Sequence, residues 1–253
     1  VTKRGKEFLR FRTDLAEPIR SMVVSGEAIH AAGVFTYNEF LNCKGSASYM
    51  AADRINDVTS VNLSAGSRPV VVLGCQDRSV RVLHGSTLLH ELPTNGPVSV
   101  VEAYHNPDVG TERVGTFGSE TPAAVASSSP SLIYGTDSGQ VVQLYLEGTS
   151  LRRGWCIDPP AENRRSKAGG VHCMAVADVT NDGVKDLLIG RDSGLVEIWS
   201  FDTGDEPKLA FERELQESVT SIACGCVSNT SGYDEVVVAT CSGKLISFAT
   251  EPL

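Results

Sequence analysis

An all-β fold is what this sequence predicts, and three observations carry the prediction. Helical periodicity is almost absent: apolar residues come in short alternating or continuous runs rich in Val, Ile, Leu and Tyr, cut by Gly, Asp, Asn and Ser. Four of these runs share one shape, an apolar strand ending in Gly or Ala, a short polar turn, then a second alternating strand: PVVVLGCQDRSVRVL (Pro69–Leu83), SLIYGTDSGQVVQLY (Ser131–Tyr145), DLLIGRDSGLVEIWS (Asp186–Ser200) and EVVVATCSGKLISF (Glu235–Phe248). The shape also recurs at intervals. With Ile19, Val58, Val98, Val171 and Val219 as markers, the spacings are 39, 40, 73 and 48 residues. A unit of about 40–50 residues carrying roughly four short strands is the signature of a β-propeller blade, which cannot bury both faces alone and must stack on its neighbours.

Taken in order, Thr2–Thr13 reads as a strand, a turn at Arg4-Gly5 and a second strand, the tail of a preceding blade. Glu17–Gly26 opens the next unit and precedes a weaker strand pattern from Ala28 to Asn42. Ile55–Leu63, Gly96–Tyr104, Gly170–Val179 and Glu217–Val227 each supply the strand ahead of one of the four hairpins. Ser-Gly fills three of the hairpin turns, where glycine suits the positive φ that the turn requires, and Arg78-Ser79 stands in its place in the first. The 73-residue spacing has a visible source: residues 106–130, rich in Gly, Ser, Thr, Pro and Ala, read as a long insertion loop within one blade. Residues 1–253 are therefore expected to be one domain of four-stranded antiparallel blades, about five plus part of another, with the first blades of the ring outside this sequence. A β-sandwich is the runner-up, but two packed sheets do not produce five copies of one unit.

Charge and cysteine usage narrow the function. The chain carries 22 Lys and Arg against 31 Asp and Glu, a net charge of −9, which argues against nucleic acid as a partner. No stretch approaches the roughly 18 apolar residues of a membrane-spanning helix. The first residues carry charge with no apolar run behind it, unlike a signal peptide, and the missing initiator Met suggests a start partway through a longer protein. Seven scattered cysteines, an odd number, read as reduced thiols of a cytoplasmic protein, and the sequon-like Asn62-Leu63-Ser64 and Asn229-Thr230-Ser231 do not overturn that.

One stretch has the composition of a metal loop. Asp178-Val-Thr180-Asn181-Asp182-Gly183-Val-Lys-Asp186 partly matches the DxNxDGxxD calcium loop of integrin-type blades, with candidate ligands Asp178, Thr180, Asp182 and Asp186. Thr180 is a neutral oxygen at the third position and Asn181 is displaced by one, so a turn built by Asn-Asp-Gly is the stronger reading. Cys224-Gly-Cys226 and His172-Cys173 lack the paired spacing of structural zinc and read as small core fillers. No phosphate-binding glycine loop and no nucleophile with an adjacent base stand out, so no catalytic residue and no cofactor is nominated. Two basic clusters remain. Lys3, Arg4, Lys6, Arg10 and Arg12 form the first; Arg152, Arg153, Arg164, Arg165 and Lys167 form the second, a candidate contact for an acidic partner or anionic lipid. Trp155 and Trp199 lie in strand patterns and are read as core before partner anchors.

The particular residues add a resemblance. TKRGKEFL (Thr2–Leu9), INDV (Ile55–Val58), CQDRSVRVL (Cys75–Leu83), DGVKDLLIGRDSGLVE (Asp182–Glu197), SFD (Ser200–Asp202) with Glu206-Pro207, ESVTSI (Glu217–Ile222) and YDEVVVAT (Tyr233–Thr240) closely resemble the amino-terminal propeller of the Bardet–Biedl syndrome protein seven family of BBSome subunits. The similarity runs end to end and is weakest in Asn38–Ala51 and Asn106–Pro130. It implies a seven-bladed ring with about two blades ahead of Val1, and a chain continuing past Leu253 into a coiled coil and appendage-type domains. It also implies a place in a coat-like adaptor at the cilium and ciliary base, with the other BBSome subunits as partners. That coat carries membrane-protein cargo and is recruited by a small Arf-like GTPase. The family assigns the propeller no catalytic residues. A non-enzymatic interaction scaffold is thus the first expectation. The alternatives are a calcium-binding adhesion propeller of the integrin type, which should show several complete acidic loops, and an enzyme using the central channel, which should show convergent carboxylates or histidines.

Overall fold

The structure, a computed structural model, describes residues 10–13, 15–63, 68–104, 130–147, 150–159, 169–201, 206–227 and 234–249. Among them are nineteen strands, in five antiparallel sheets that follow one another along the chain. The first sheet is β1 (Ser21–Ser25), β2 (Ala28–Ala32), β3 (Thr36–Leu41) and β4 (Lys44–Met50). The second is β5 (Ile55–Val61), β6 (Val70–Cys75), β7 (Ser79–His84) and β8 (Thr87–Pro93). The third is β9 (Val98–Tyr104), β10 (Ser131–Thr136), β11 (Val141–Glu147) and β12 (Ser150–Ile157). The fourth is β13 (Val171–Ala177), β14 (Asp186–Arg191), β15 (Leu195–Ser200) and β16 (Lys208–Glu214). The fifth has three described strands, β17 (Val219–Gly225), β18 (Glu235–Thr240) and β19 (Leu245–Phe248).

In every sheet neighbours in sequence are neighbours in space, and the first strands β1, β5, β9, β13 and β17 pack successively against one another. That is blade-on-blade stacking around an inner row of strands. Burial follows the radius: β6, β10 and β14 are buried at every residue, whereas the outer strand β16 is exposed at every residue. A second strand covered on both faces needs a continuous apolar run, which explains Val-Val-Val-Leu at 70–73 and Leu-Leu-Ile at 187–189. Each seam has its own core. Ala32, Tyr37, Ile55 and Leu73 join blades one and two; Val72, Val82, Leu132 and Leu144 join two and three. Ile133, Val141, Leu187 and Ile189 join three and four; Leu188, Val196, Ile222 and Val238 join four and five.

Two devices repeat at these seams. A register shift near the start of the inner strand places one extra residue in β5, β9, β13 and β17, at Asn56, Ser99, His172 and Thr220. Asn56 Nδ2 donates to the Val98 carbonyl at 2.8 Å and Ser99 Oγ to the Val171 carbonyl at 2.5 Å, each reaching the first residue of the next inner strand. That same valine fills a notch left by a glycine on the second strand: a Cβ at Gly74 would lie 2.7 Å from Val98 Cγ1, at Gly135 2.5 Å from Val171 Cγ1, and at Gly190 2.5 Å from Val219 Cγ1.

The four hairpins and their preceding strands fall where the sequence places them. Gly139, Gly194 and Gly243 take φ of +91°, +92° and +87° in the turns. The first hairpin differs by one position from the reading above: Arg78, at φ +62°, takes the glycine's place, and Ser79 already begins β7. Asp77-Arg78 is thus the counterpart of Ser-Gly. The weak pattern from Ala28 to Asn42 is the hairpin β2–β3. Of Thr2–Thr13, residues 1–9 lie outside the described part, and Arg10–Thr13 belongs to no strand. It crosses the outward face of the first blade, where the Phe11 ring meets Phe40 edge-on with centroids 5.5 Å apart. Nearly all of the 106–130 insertion also lies outside the described residues.

Candidate interaction surfaces

The second basic cluster begins on β12. Arg152 Nε donates to Glu147 Oε1 at 2.8 Å across the β11–β12 hairpin, and its guanidinium lies 4.2 Å over the Tyr145 ring. Arg153 reaches back to the second blade, donating to the Pro93 carbonyl at 3.2 Å. Both remain exposed, so the strand presents them outward while their inner contacts fix their direction. Arg164, Arg165 and Lys167 lie outside the described residues, as do Lys3, Arg4 and Lys6 of the first cluster; Arg10 and Arg12 are exposed.

The aspartate loop joins β13 to β14. Asn181 and Gly183 take φ of +58° and +88°, the left-handed turn expected of Asn-Asp-Gly. Asp178 accepts from the Asp182 amide at 3.2 Å and the Gly183 amide at 3.0 Å, and Asp182 Oδ1 accepts from the Val184 amide at 2.7 Å. Asp186 is fully buried; its Oδ2 accepts from the Val179 amide, the Thr180 amide and the Thr180 hydroxyl at 2.9, 3.1 and 3.2 Å. Its Oδ1 is buried without a partner, and burial pushes the carboxyl up to about 6 against the pull of those donors. The carboxylates are thus turned onto the loop's own donors. Among the described residues no three His, Cys, Asp or Glu side chains converge as metal ligands do.

Cys173 and Cys224 pack against the seam between blades four and five, as core fillers should, and burial pushes the Cys173 thiol up to about 12. Cys226 and His172 correct that reading, because both are exposed. None of the seven cysteines is in a disulfide. Trp155 and Trp199 are half-buried against the seam of blades three and four, Trp155 with its ring centroid 5.5 Å from that of Phe201.

The seams also hold buried polar groups that the strand pattern does not announce. Arg191 is fully buried; its Nε donates to Glu197 Oε2 at 2.9 Å and its Nη1 to the carbonyls of Gly139 at 2.9 Å and Gly169 at 3.1 Å, tying blade three to blade four. Glu39, also buried, pairs with Arg68 of the second blade, and His30 Nδ1 lies 2.8 Å from the Tyr37 hydroxyl. The signal is present in the sequence as charged residues inside apolar strands. Only the fold says that they meet across a turn or a seam.

A stack of antiparallel blades whose polar side chains serve its own backbone, and which presents two faces and a rim, defines a β-propeller. The chain matches the family described as the BBS7 beta-propeller over residues 1–250, and it belongs to that family. It is 40% identical over 251 residues to the mouse (Mus musculus) BBSome complex member BBS7, covering 99% of this chain and 32% of that protein. It is 25% identical over 252 residues to the Caenorhabditis elegans BBSome complex member bbs-7, covering 98% of this chain and 32% of the relative. The chain therefore spans about a third of the length of these curated relatives. Among solved structures, Sqt1 of Saccharomyces cerevisiae superposes with a TM-score of 0.62 at 11% identity, over 88% of this chain and 55% of that one, a likeness of fold alone.

Proposed function

We propose that this chain is the propeller of a BBSome subunit and acts as a non-catalytic scaffold, docking other subunits of a coat that adapts membrane-protein cargo for ciliary trafficking. The observation that carries this reading is the family match over residues 1–250 together with 40% identity to a BBSome complex member across 99% of the chain. The architecture suits the role physically, because stacked blades hold loops on a rigid frame without needing to move. The site of action is the cytoplasm and the ciliary base and membrane, with the Arf-like GTPase and cargo as indirect partners. Arg152 and Arg153, with Arg164, Arg165 and Lys167, form the contact for an acidic partner or anionic lipid.

The test is affinity capture of the full-length protein from ciliated cells, with and without EDTA, followed by mass spectrometry. Recovery of the other BBSome subunits under both conditions supports the scaffold. Their absence refutes it. Loss on chelation would move attention to Asp178, Thr180, Asp182 and Asp186 as a calcium loop.

A further inference from the structure

Two departures from the blade repeat fall on one blade, at one end of it. The first is Arg78. Its φ of +62° lies in the left-handed region that favours glycine, and Gly139, Gly194 and Gly243 occupy the same turn in blades three, four and five. The backbone there does not call for an arginine: the Arg78 carbonyl accepts from the Thr94 amide at 2.8 Å, as the Gly194 carbonyl accepts from the Leu215 amide at 2.8 Å. The second departure is Arg54, directly ahead of the inner strand β5, where Pro97, Gly170 and Ser218 stand ahead of β9, β13 and β17. Arg54 Nε donates to Asn56 Oδ1 at 2.9 Å and its Nη2 to Gln76 Oε1 at 2.7 Å, and Asn56 is itself fixed on the Val98 carbonyl at 2.8 Å. Gln76 opens the β6–β7 turn that carries Arg78, so both arginines belong to one tip.

Both are exposed, and among the described residues neither guanidinium meets a carboxylate. Arg68, Arg81, Arg152 and Arg191, by contrast, are each paired with an acid. The acids beside the two arginines in sequence are engaged elsewhere: Asp53 Oδ1 accepts from the Arg54 backbone amide, and Asp77 holds Ser79 and Arg81. Neutral amides therefore aim the Arg54 fork without neutralising it. We propose that Arg54 and Arg78 are a docking point for an acidic segment of a protein partner, whose carboxylates the two guanidiniums receive. A planar fork suits a carboxylate, and a left-handed arginine is a cost to the fold that glycine avoids in the sister turns. An anionic membrane fits less well. Two cations fall short of a polybasic patch, and the exposed Asp137, Asp158 and Asp192 stand at the same end of blades three and four. The site goes beyond the scaffold reading and is separate from Arg152 and Arg153, which lie on the outer strand of blade three.

Fluorescence anisotropy of a labelled octaglutamate peptide with the full-length protein tests this, comparing wild type, Arg54→Gln/Arg78→Gly and Arg152→Gln/Arg153→Gln. Each protein is also titrated with phosphatidylserine vesicles. Removing two charge-assisted contacts predicts peptide binding weaker by about tenfold or more in Arg54→Gln/Arg78→Gly. Arg78→Gly alone should unfold at a temperature no lower than wild type, because glycine relieves the turn. Peptide binding that survives Arg54→Gln/Arg78→Gly, including binding lost only in Arg152→Gln/Arg153→Gln, overturns the proposal. So does an Arg78→Gly protein that melts several degrees lower, since the arginine then serves the fold. Vesicle binding that depends on Arg54 and Arg78 while peptide binding does not overturns it in favour of a membrane contact.

Discussion

Replacing Gly135 by alanine strikes the seam between blades three and four without touching any polar group. The added methyl carbon would stand 2.5 Å from Val171 Cγ1, 2.9 Å from Val171 Cβ and 3.1 Å from Val100 Cγ1. Val171 is 2% exposed and cannot turn away, because a β-branched side chain has little χ1 freedom and its surroundings are filled. Blade four must therefore shift. Overpacking of this kind costs about 1–3 kcal/mol. Against it stands the entropy that alanine removes from the unfolded chain, about 0.4–1 kcal/mol, leaving a net loss of roughly 1–2 kcal/mol. Thermal unfolding of the full-length protein, with hydrogen exchange of β10 and β13 to localise the effect, measures it. The decisive sample is the double variant Gly135→Ala/Val171→Ala. Val171→Ala alone destabilises by emptying the notch, yet in the Gly135→Ala background the new methyl reoccupies that space. The pair should therefore be more stable than the sum of the singles by about 1–2 kcal/mol. A neutral Gly135→Ala, or strict additivity in the double variant, would refute the notch-and-valine account of the seam.

Two further perturbations address the buried polar groups. Arg191→Met leaves the Glu197 carboxylate, 3% exposed, without its cation and frees the Gly139 and Gly169 carbonyls. A loss of about 3–5 kcal/mol is expected by denaturant unfolding, with Arg191→Met/Glu197→Gln recovering a substantial part of it. His30 is 1% exposed and burial holds its imidazole below the ordinary value of 6.5, so the unfolded chain takes up the proton first. Stability from His30 is present above pH 6.5 and is lost on acidification below it; hydrogen exchange of β2 and β3 should accelerate below that pH in the wild type and not in His30→Gln.

What the sequence displays of this fold is what repeats. Val70–Val82 and Asp186–Ile198 announce themselves because a doubly covered strand needs an unbroken apolar run and a tight turn needs its glycine. The outer strands do not: Lys208–Glu214 reads KLAFERE and is exposed at every residue, so neither burial nor periodicity marks it. Arg78 is hidden for a related reason, since only the register of β6 with β7 shows that it sits where Gly139, Gly194 and Gly243 sit. The same limit applies to the candidate surfaces. Asp178–Asp186 is legible as an acidic loop, but whether its oxygens face a cation or its own amides depends on backbone angles, and here Asp178 and Asp182 face amides. Arg191 and Glu197 are six positions apart on opposite arms of a hairpin, and their union is a consequence of that turn.

Because each seam has its own apolar cluster, and the first three their own polar bridges, the stack responds to conditions seam by seam rather than as one body. His30 and the Glu39–Arg68 pair belong to the seam of blades one and two, the bond from the Val101 amide to Asp57 to the next, and Arg191 and Glu197 to the one after. Acid charges His30 and loosens the first seam. Stacked units whose interfaces are separately stabilised behave as a nearest-neighbour chain, in which a local change alters one interface and leaves the rest in place. For the scaffold role proposed above this is the useful property: a partner on one blade's rim would read the geometry of that blade, and the frame would not be remade when a single seam gives way.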